Sequence, residues 1–190
     1  MNKLGLSFAF AASTLLAAPI TFVATLNGAN QNPVVATPGT GVTLVILDPV
    51  ANTMRVEVTF SDLLAGTTAS HIHCCIAAPG NVGVATAVPS FPGFPLGVTS
   101  GTYDQTFNML DLASYNPSFV TASGGTAAGA ESALFNGIET GMAYLNIHTN
   151  LFPGGEIRGF FTPAPEPGTL GMAALALVGA VLVRRRASGT

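Results

Sequence analysis

Met54-Arg55-Val56-Glu57-Val58-Thr59-Phe60 decides the fold class of this 190-residue chain. Apolar and polar side chains alternate along the segment, which is the period-two pattern of a strand with one buried face. Other short strands are predicted around it, at 21–26, 41–47, 71–76, 102–107, 142–149 and 156–161. Residues 79–101 are rich in Pro and Gly and predict a long loop, and residues 127–138 predict one short helix. Many short strands joined by such turns predict an all-β, antiparallel β-sandwich.

The two ends of the chain differ in composition from this central region. Residues 1–18 combine Lys3 with an apolar stretch and small residues, which is the pattern of a secretory signal peptide. At the other end, Pro165-Glu166-Pro167 precedes an apolar run at 169–183 that predicts a short transmembrane helix. Arg184-Arg185-Arg186 follow, and arginines at this place favour the cytoplasmic side. The alternative is a buried core helix followed by a basic tail.

The C-terminal arrangement resembles the PEP-CTERM sorting signal of exported proteins in Gram-negative bacteria. The resemblance covers residues 163–190 and rests on the Pro-Glu-Pro motif, the apolar run and the arginine cluster. It implies recognition by an exosortase, a membrane cysteine protease, with processing near Pro165. The C-terminal helix would then anchor the precursor in the inner membrane only transiently. The processed protein would reach the cell surface or an extracellular polysaccharide matrix.

The central region, 19–162, is predicted to be one domain with very few charges. It contains two basic and eight acidic side chains and no lysine, which gives a net charge of −6. Nucleic acid is therefore not expected as a partner, because phosphate binding needs clustered Lys and Arg. A surface built from small polar residues suits extracellular polysaccharide or surface proteins as partners.

The three histidines of the chain are the candidate chemical site. His71 and His73 flank a single residue, so on a strand their side chains point to the same face. With His148 they form a plausible ligand set for zinc or copper, because imidazole suits both metals. The alternative is that the three rings only form hydrogen bonds that tie strands together.

A polar cluster is predicted beside the histidines. If the last hairpin pairs His148 with Glu156, then Asn146 lies opposite Arg158 on the same face. If the strand of His71 is their neighbour, all these side chains gather in one patch. Alternatively, Glu156 and Arg158 form a structural ion pair that fixes the hairpin.

Cys74 and Cys75 follow His73 directly. Exported proteins usually pair their cysteines, but adjacent Cα atoms are only about 3.8 Å apart, below the usual range for a disulfide. A vicinal disulfide, two separate thiols and an intermolecular bridge all remain open. Because strand residues alternate between faces, only Cys75 could join His71 and His73 in a metal site.

Three segments of the central domain resemble the signature of the CHRD domain, first described in chordin. They are Thr68-Ala69-Ser70-His71-Ile72-His73, Ala143-Tyr144-Leu145-Asn146-Ile147-His148-Thr149 and Pro153-Gly154-Gly155-Glu156-Ile157-Arg158-Gly159. The segment from Phe22 to Val34 resembles the opening strand of the family. The resemblance spans about 20–161. It implies an immunoglobulin-like or superoxide-dismutase-like β-sandwich, and it brings no established catalytic residue.

Two function classes follow from these patterns. The first is an exported surface or matrix-associated binding or structural protein, with no catalytic activity and no cofactor. The alternative is a metal-binding protein or a dismutase-like metalloenzyme that uses His71, His73 and His148. The sequence holds no Gly-x-Ser-x-Gly elbow and no glycine-rich phosphate loop, which argues against the common hydrolases and nucleotide-binding enzymes.

Overall fold

The computed structural model describes residues 18–165. Almost all of the predicted signal peptide lies outside the described residues. The predicted helix at 169–183 and residues 166–190 of the predicted sorting signal also lie outside the described residues. Within the described range, no helix combines the length and the apolar character needed to cross a membrane.

The described chain is mostly β, and all strand pairs between the named strands are antiparallel. The strands are β1 Ile20–Asn27, β2 Thr40–Asp48, β3 Thr53–Ser61, β4 Thr67–Cys74, β5 Gly101–Asn108, β6 Ala143–Thr149, β7 Ile157–Phe160 and β8 Thr162–Pro163. This confirms the predicted all-β, antiparallel fold class. The predicted strand at 71–76 is displaced, because the ladder of β4 with β6 starts at Thr67 and ends where Cys74 pairs with Ala143.

One continuous sheet holds the strands in the order β4-β6-β7-β1-β2-β3-β5, with β8 on β1. Side chains from strands far apart in this order, such as Val58 of β3 and Ile72 of β4, belong to one hydrophobic core. The sheet must therefore curl, so that its two halves face each other across that core.

Strand β3 supplies the centre of the core. Met54, Val56, Val58 and Phe60 are at most 2 % exposed, whereas Arg55 is exposed. Ile72 of β4 and the apolar residues of β6 face the same core. The polar side chains that alternate with them therefore lie on the opposite face of the sheet.

Helix α2, Ala127–Glu139, matches the helix predicted at 127–138 and closes one side of the core with Leu134 and Ile138. Its first turn is capped by Thr126, whose hydroxyl accepts a hydrogen bond from the backbone of Gly129. A second, shorter helix, α1, spans Pro117–Ala122 and was not predicted. Asn116 caps it and Pro117 begins it, which is a recognisable start signal. The prediction of a single helix was therefore wrong.

Candidate metal centre

The three histidines meet on the face of β4 and β6 that is turned away from the core. In the ladder between these strands, His71 lies beside Asn146, His73 lies beside Tyr144 and His148 lies beside Ala69. One ring nitrogen from each histidine lies within 4.8 Å of the corresponding nitrogens of the other two. The structure thus brings together the three residues that the sequence suggested as metal ligands.

Each imidazole is oriented by one backbone carbonyl from a loop that covers this face. His71 Nε2 lies 2.6 Å from the Pro89 carbonyl, His73 Nδ1 2.8 Å from that of Val82, and His148 Nδ1 2.9 Å from that of Pro153. A carbonyl oxygen can only accept, so these three nitrogens carry the hydrogen and donate it. In each neutral ring the opposite nitrogen then has a free lone pair.

Those opposite nitrogens are the unusual feature of the site. His71 Nδ1, His73 Nε2 and His148 Nε2 are buried, and none has a hydrogen-bond partner among residues 18–165. A buried polar atom without a partner costs about 1–3 kcal/mol, so three in one cluster need an explanation. Metal-binding histidines typically donate their second ring N–H to a carbonyl or carboxylate, and this is the pattern found here. The residues present therefore fit a transition-metal ion.

Burial keeps the three rings neutral near pH 7. It lowers the pKa of His73 from 6.5 to about 4, and it also lowers the pKa values of His71 and His148. A neutral imidazole is the form that binds a metal ion, so no proton has to leave before binding.

Tyr144 links His73 to a buried arginine. The rings of His73 and Tyr144 are parallel to within 5°, with centroids 4.8 Å apart, and the Arg158 guanidinium carbon lies 4.7 Å from the Tyr144 centroid. Because β6 lies between β4 and β7, the two groups cover opposite faces of the Tyr144 ring. The orientation of His73 is therefore set by ring stacking as well as by its hydrogen bond.

Arg158 is only 1 % exposed and bonds entirely to neutral acceptors. It donates to the carbonyls of Asn30, Pro79 and Gly80 and to Oδ1 of Asn81. Residue 82, whose carbonyl holds His73, follows directly in this loop. Arg158 thus fixes the loop that orients His73.

The residues of the predicted polar cluster belong to separate hydrogen-bond networks. Asn146 pairs with Arg158 across β6 and β7, and its side chain bonds to Gln31 at 2.7 Å and to the Gly154 carbonyl at 3.2 Å. Glu156, fully buried, instead accepts hydrogen bonds from Thr37, the Leu64 backbone and Thr149.

The ion pair suggested for Glu156 and Arg158 is not formed. The ion pairs found within 18–165 both involve Arg55, which contacts Glu57 and Asp104. The two buried charges are instead satisfied separately, Arg158 by carbonyls and an amide, Glu156 by hydroxyls and a backbone N–H. The carboxylate has no hydrogen bond to any of the three histidines.

The two cysteines lie outside the histidine cluster. Cys74 and Cys75 are joined as a vicinal disulfide, and both sulfur atoms lie near the Ala133 carbonyl of α2. Strand parity allowed only Cys75 to lie near His71 and His73, but its sulfur is bonded to Cys74 and faces α2.

Sequence reasoning missed the groups that orient the rings. The carbonyls of Val82, Pro89 and Pro153 carry no side-chain signature, although 79–101 was predicted to be a loop. Tyr144 shares the face of His148 by strand parity, which places it near the site but does not indicate stacking.

Comparisons with known protein families give a match for the central domain and a match for the C-terminal segment. A CHRD domain matches residues 22–161, and a PEP-CTERM protein-sorting motif matches residues 163–186. No curated protein and no solved structure matches the chain.

Proposed function

The chain belongs to the CHRD domain family, and we propose that it is an exported binding protein that holds one zinc or copper ion between His71, His73 and His148. One observation carries the proposal. One ring nitrogen from each histidine lies within 4.8 Å of those of the other two. Each ring also has one buried nitrogen without a partner, while its opposite nitrogen is held by a backbone carbonyl. Structural hydrogen bonds alone do not explain this pattern, because they use one nitrogen of each ring and leave the other buried without a partner.

The residues of the site would have two separate roles. The three histidines would supply the ligand atoms, and the carbonyls of Val82, Pro89 and Pro153 would fix the ring orientations. A bound zinc or copper ion would bring a concentrated positive charge and, for copper, the capacity to change oxidation state. The proposal includes no catalytic step, and both matched families are non-catalytic.

Metal analysis tests the binding function. The chain is purified without a polyhistidine tag and its zinc and copper contents are measured by mass spectrometry. We expect about one equivalent of metal in total. The variants His71→Gln and His148→Gln should lose it while keeping the circular dichroism spectrum of the parent. Absence of bound metal from the native chain after incubation with both ions would refute the function.

The sorting motif supports the cellular part of the proposal. PEP-CTERM motifs imply export and processing by exosortase-type membrane machinery. We propose in addition that 1–18 is a signal peptide and that the processed protein stays at the cell surface or in the extracellular polysaccharide of a Gram-negative bacterium. The lysine-free surface of the domain is compatible with such a matrix.

Deletion of 163–190 tests the sorting step. The truncated protein should be missing from the surface and matrix fractions, whereas Arg55→Gln, which changes an exposed residue outside the motif, should be sorted normally. A pull-down with the producer's own polysaccharide tests retention. Unchanged localisation of the truncated protein would contradict the sorting proposal and leave the metal-binding proposal standing.

A further inference from the structure

The charges around the three histidines restrict which ion the site can hold. All three ligands are imidazoles, and within 18–165 no aspartate or glutamate belongs to their cluster. Glu156 is engaged with Thr37, Leu64 and Thr149. The cation Arg158 lies on the far side of Tyr144, the ring that stacks on His73. A bound ion would therefore have no anionic ligand to offset its charge in this buried site.

The number of ligands is a second restriction. Within 18–165, no cysteine, aspartate or glutamate joins the three histidines as a fourth donor. The nearest sulfur atoms in sequence, those of Cys74 and Cys75, are tied to each other and face α2. The unpartnered nitrogen of each ring is also buried, so solvent does not reach it directly.

From these two restrictions we infer that the site selects monovalent copper over divalent zinc and divalent copper. This inference rests on the proposed metal-binding function and specifies its ion. The desolvation cost of an ion rises with the square of its charge, so a divalent ion pays about four times the cost of a monovalent one here. Neutral ligands and a nearby arginine do nothing to offset that difference.

Coordination preference points the same way. Zn²⁺ in proteins is almost always four-coordinate and fills a missing position with water or a carboxylate. Cu⁺ has a filled d shell and accepts three nitrogen ligands without a fourth. Imidazole suits copper, and the three-nitrogen cluster supplies what Cu⁺ requires.

Competitive titration of the purified, metal-free chain tests the inference. Cu⁺ is added without oxygen against a chromogenic Cu⁺ chelator, and Zn²⁺ and Cu²⁺ are added against their own chelators. We expect one Cu⁺ per chain, bound more tightly than either divalent ion by at least about tenfold, which is about 1.4 kcal/mol. X-ray absorption should show a three-coordinate Cu⁺ with nitrogen ligands. The variant His71→Gln should abolish this spectrum.

A charge variant gives an independent test of the reason for selectivity. His148→Asp replaces one neutral ligand with an anionic oxygen ligand, and it should shift the preference towards Zn²⁺. Tighter binding of Zn²⁺ or Cu²⁺ than Cu⁺ by the native chain would overturn the inference, yet would still support a histidine metal site. Failure of all three ions to bind would overturn both proposals.

Discussion

His73 and Tyr144 lie side by side on β4 and β6, with parallel rings whose centroids are 4.8 Å apart. The stack holds a metal-ligand candidate against a residue whose other face is covered by Arg158. Ring orientation at a metal site is normally set by hydrogen-bonding groups behind the ligands, and their loss typically lowers affinity about 10–100-fold. Stacking on Tyr144 restrains the His73 ring in the same way, so we expect a loss of similar size. Tyr144 is therefore expected to be a positioning residue.

The first prediction separates the ring of Tyr144 from its hydroxyl. Tyr144→Leu removes the stack on His73 and should weaken metal binding about 10–100-fold. Tyr144→Phe keeps the ring and loses the hydroxyl contacts with the Val82 N–H at 3.3 Å and the Val82 carbonyl at 3.4 Å. That carbonyl keeps its shorter bond to His73, so the affinity should stay close to that of the parent. Chelator competition gives both affinities. An equal loss in the two variants would mean that stacking does not position His73.

Arg158 provides the second prediction, with Arg55 as a matched control. Arg158→Lys cannot reproduce the set of bonds to three carbonyls and Asn81, because lysine lacks the planar fork of five donors. We expect the free energy of unfolding to fall by about 3 kcal/mol, as several buried acceptors lose their donors. Arg55→Lys alters an exposed pair with Asp104 and should cost less than about 1 kcal/mol.

Urea unfolding monitored by circular dichroism measures both arginine variants. Of the two variants, Arg158→Lys should bind metal more weakly, since Arg158 holds the loop that carries the Val82 carbonyl. Similar losses of stability in Arg158→Lys and Arg55→Lys would contradict the structural role assigned to Arg158.

Much of this arrangement follows from the sequence, and the remainder depends on contacts between distant segments. The period-two pattern at 54–60 predicted both a strand and its buried face, and β3 has them. The short hairpin of β6 and β7 explains why Asn146 lies opposite Arg158. Pairing of β4 with β6 is different, because His71 and Asn146 are 75 positions apart in the chain and no local pattern specifies their contact.

The hydrogen-bond partners of Glu156 likewise depend on contacts between distant segments. Its position two residues before Arg158 suggested an ion pair or a place beside the histidines. The side chain instead meets Thr37 and Leu64, which the fold brings from separate segments of the chain. Strand parity predicts the face of the sheet from which a side chain projects. The loops that pack on that face determine which groups it contacts.

The third prediction concerns the pH dependence of the metal-free protein. The pKa of His73 is about 4 in the folded state and 6.5 for an ordinary histidine, so the unfolded chain binds more protons between these values. Stability should be fully present above pH 6.5 and fall as the pH drops towards 4. His73 alone should contribute a loss of about 3 kcal/mol, and the lowered pKa values of His71 and His148 act in the same direction.

Urea midpoints measured at several pH values test this dependence. His73→Gln should be less sensitive to pH over the same interval, because glutamine does not titrate. A native protein whose stability is constant from pH 7 to pH 4 would show that the histidines are not buried in the neutral form. Saturating metal should steepen the loss, since protons then compete with the ion for the same nitrogens.

The fourth prediction reverses a general rule about helices. Replacing a helical glycine with alanine usually stabilises a helix by about 1 kcal/mol. In α2, however, a Cβ at residue 137 would lie 2.8 Å from Sγ of Cys75 and still closer to Sγ of Cys74. Gly137→Ala should therefore lower the free energy of unfolding by about 1–3 kcal/mol. Gly83→Ala, where a Cβ meets open space, should leave it nearly unchanged.

A double-mutant cycle assigns the cost of Gly137→Ala to the sulfur atoms. In the background Cys74→Ala/Cys75→Ala both sulfurs are gone, and the remaining Cβ of residue 75 lies 3.7 Å from the added methyl, an ordinary contact. The substitution at 137 should then become neutral or stabilising, giving a coupling energy of about 1–3 kcal/mol. An equal penalty in both backgrounds would mean that the added methyl clashes with something other than the disulfide. Relief in the alanine background would show that α2 needs glycine at 137 because the vicinal disulfide packs against it.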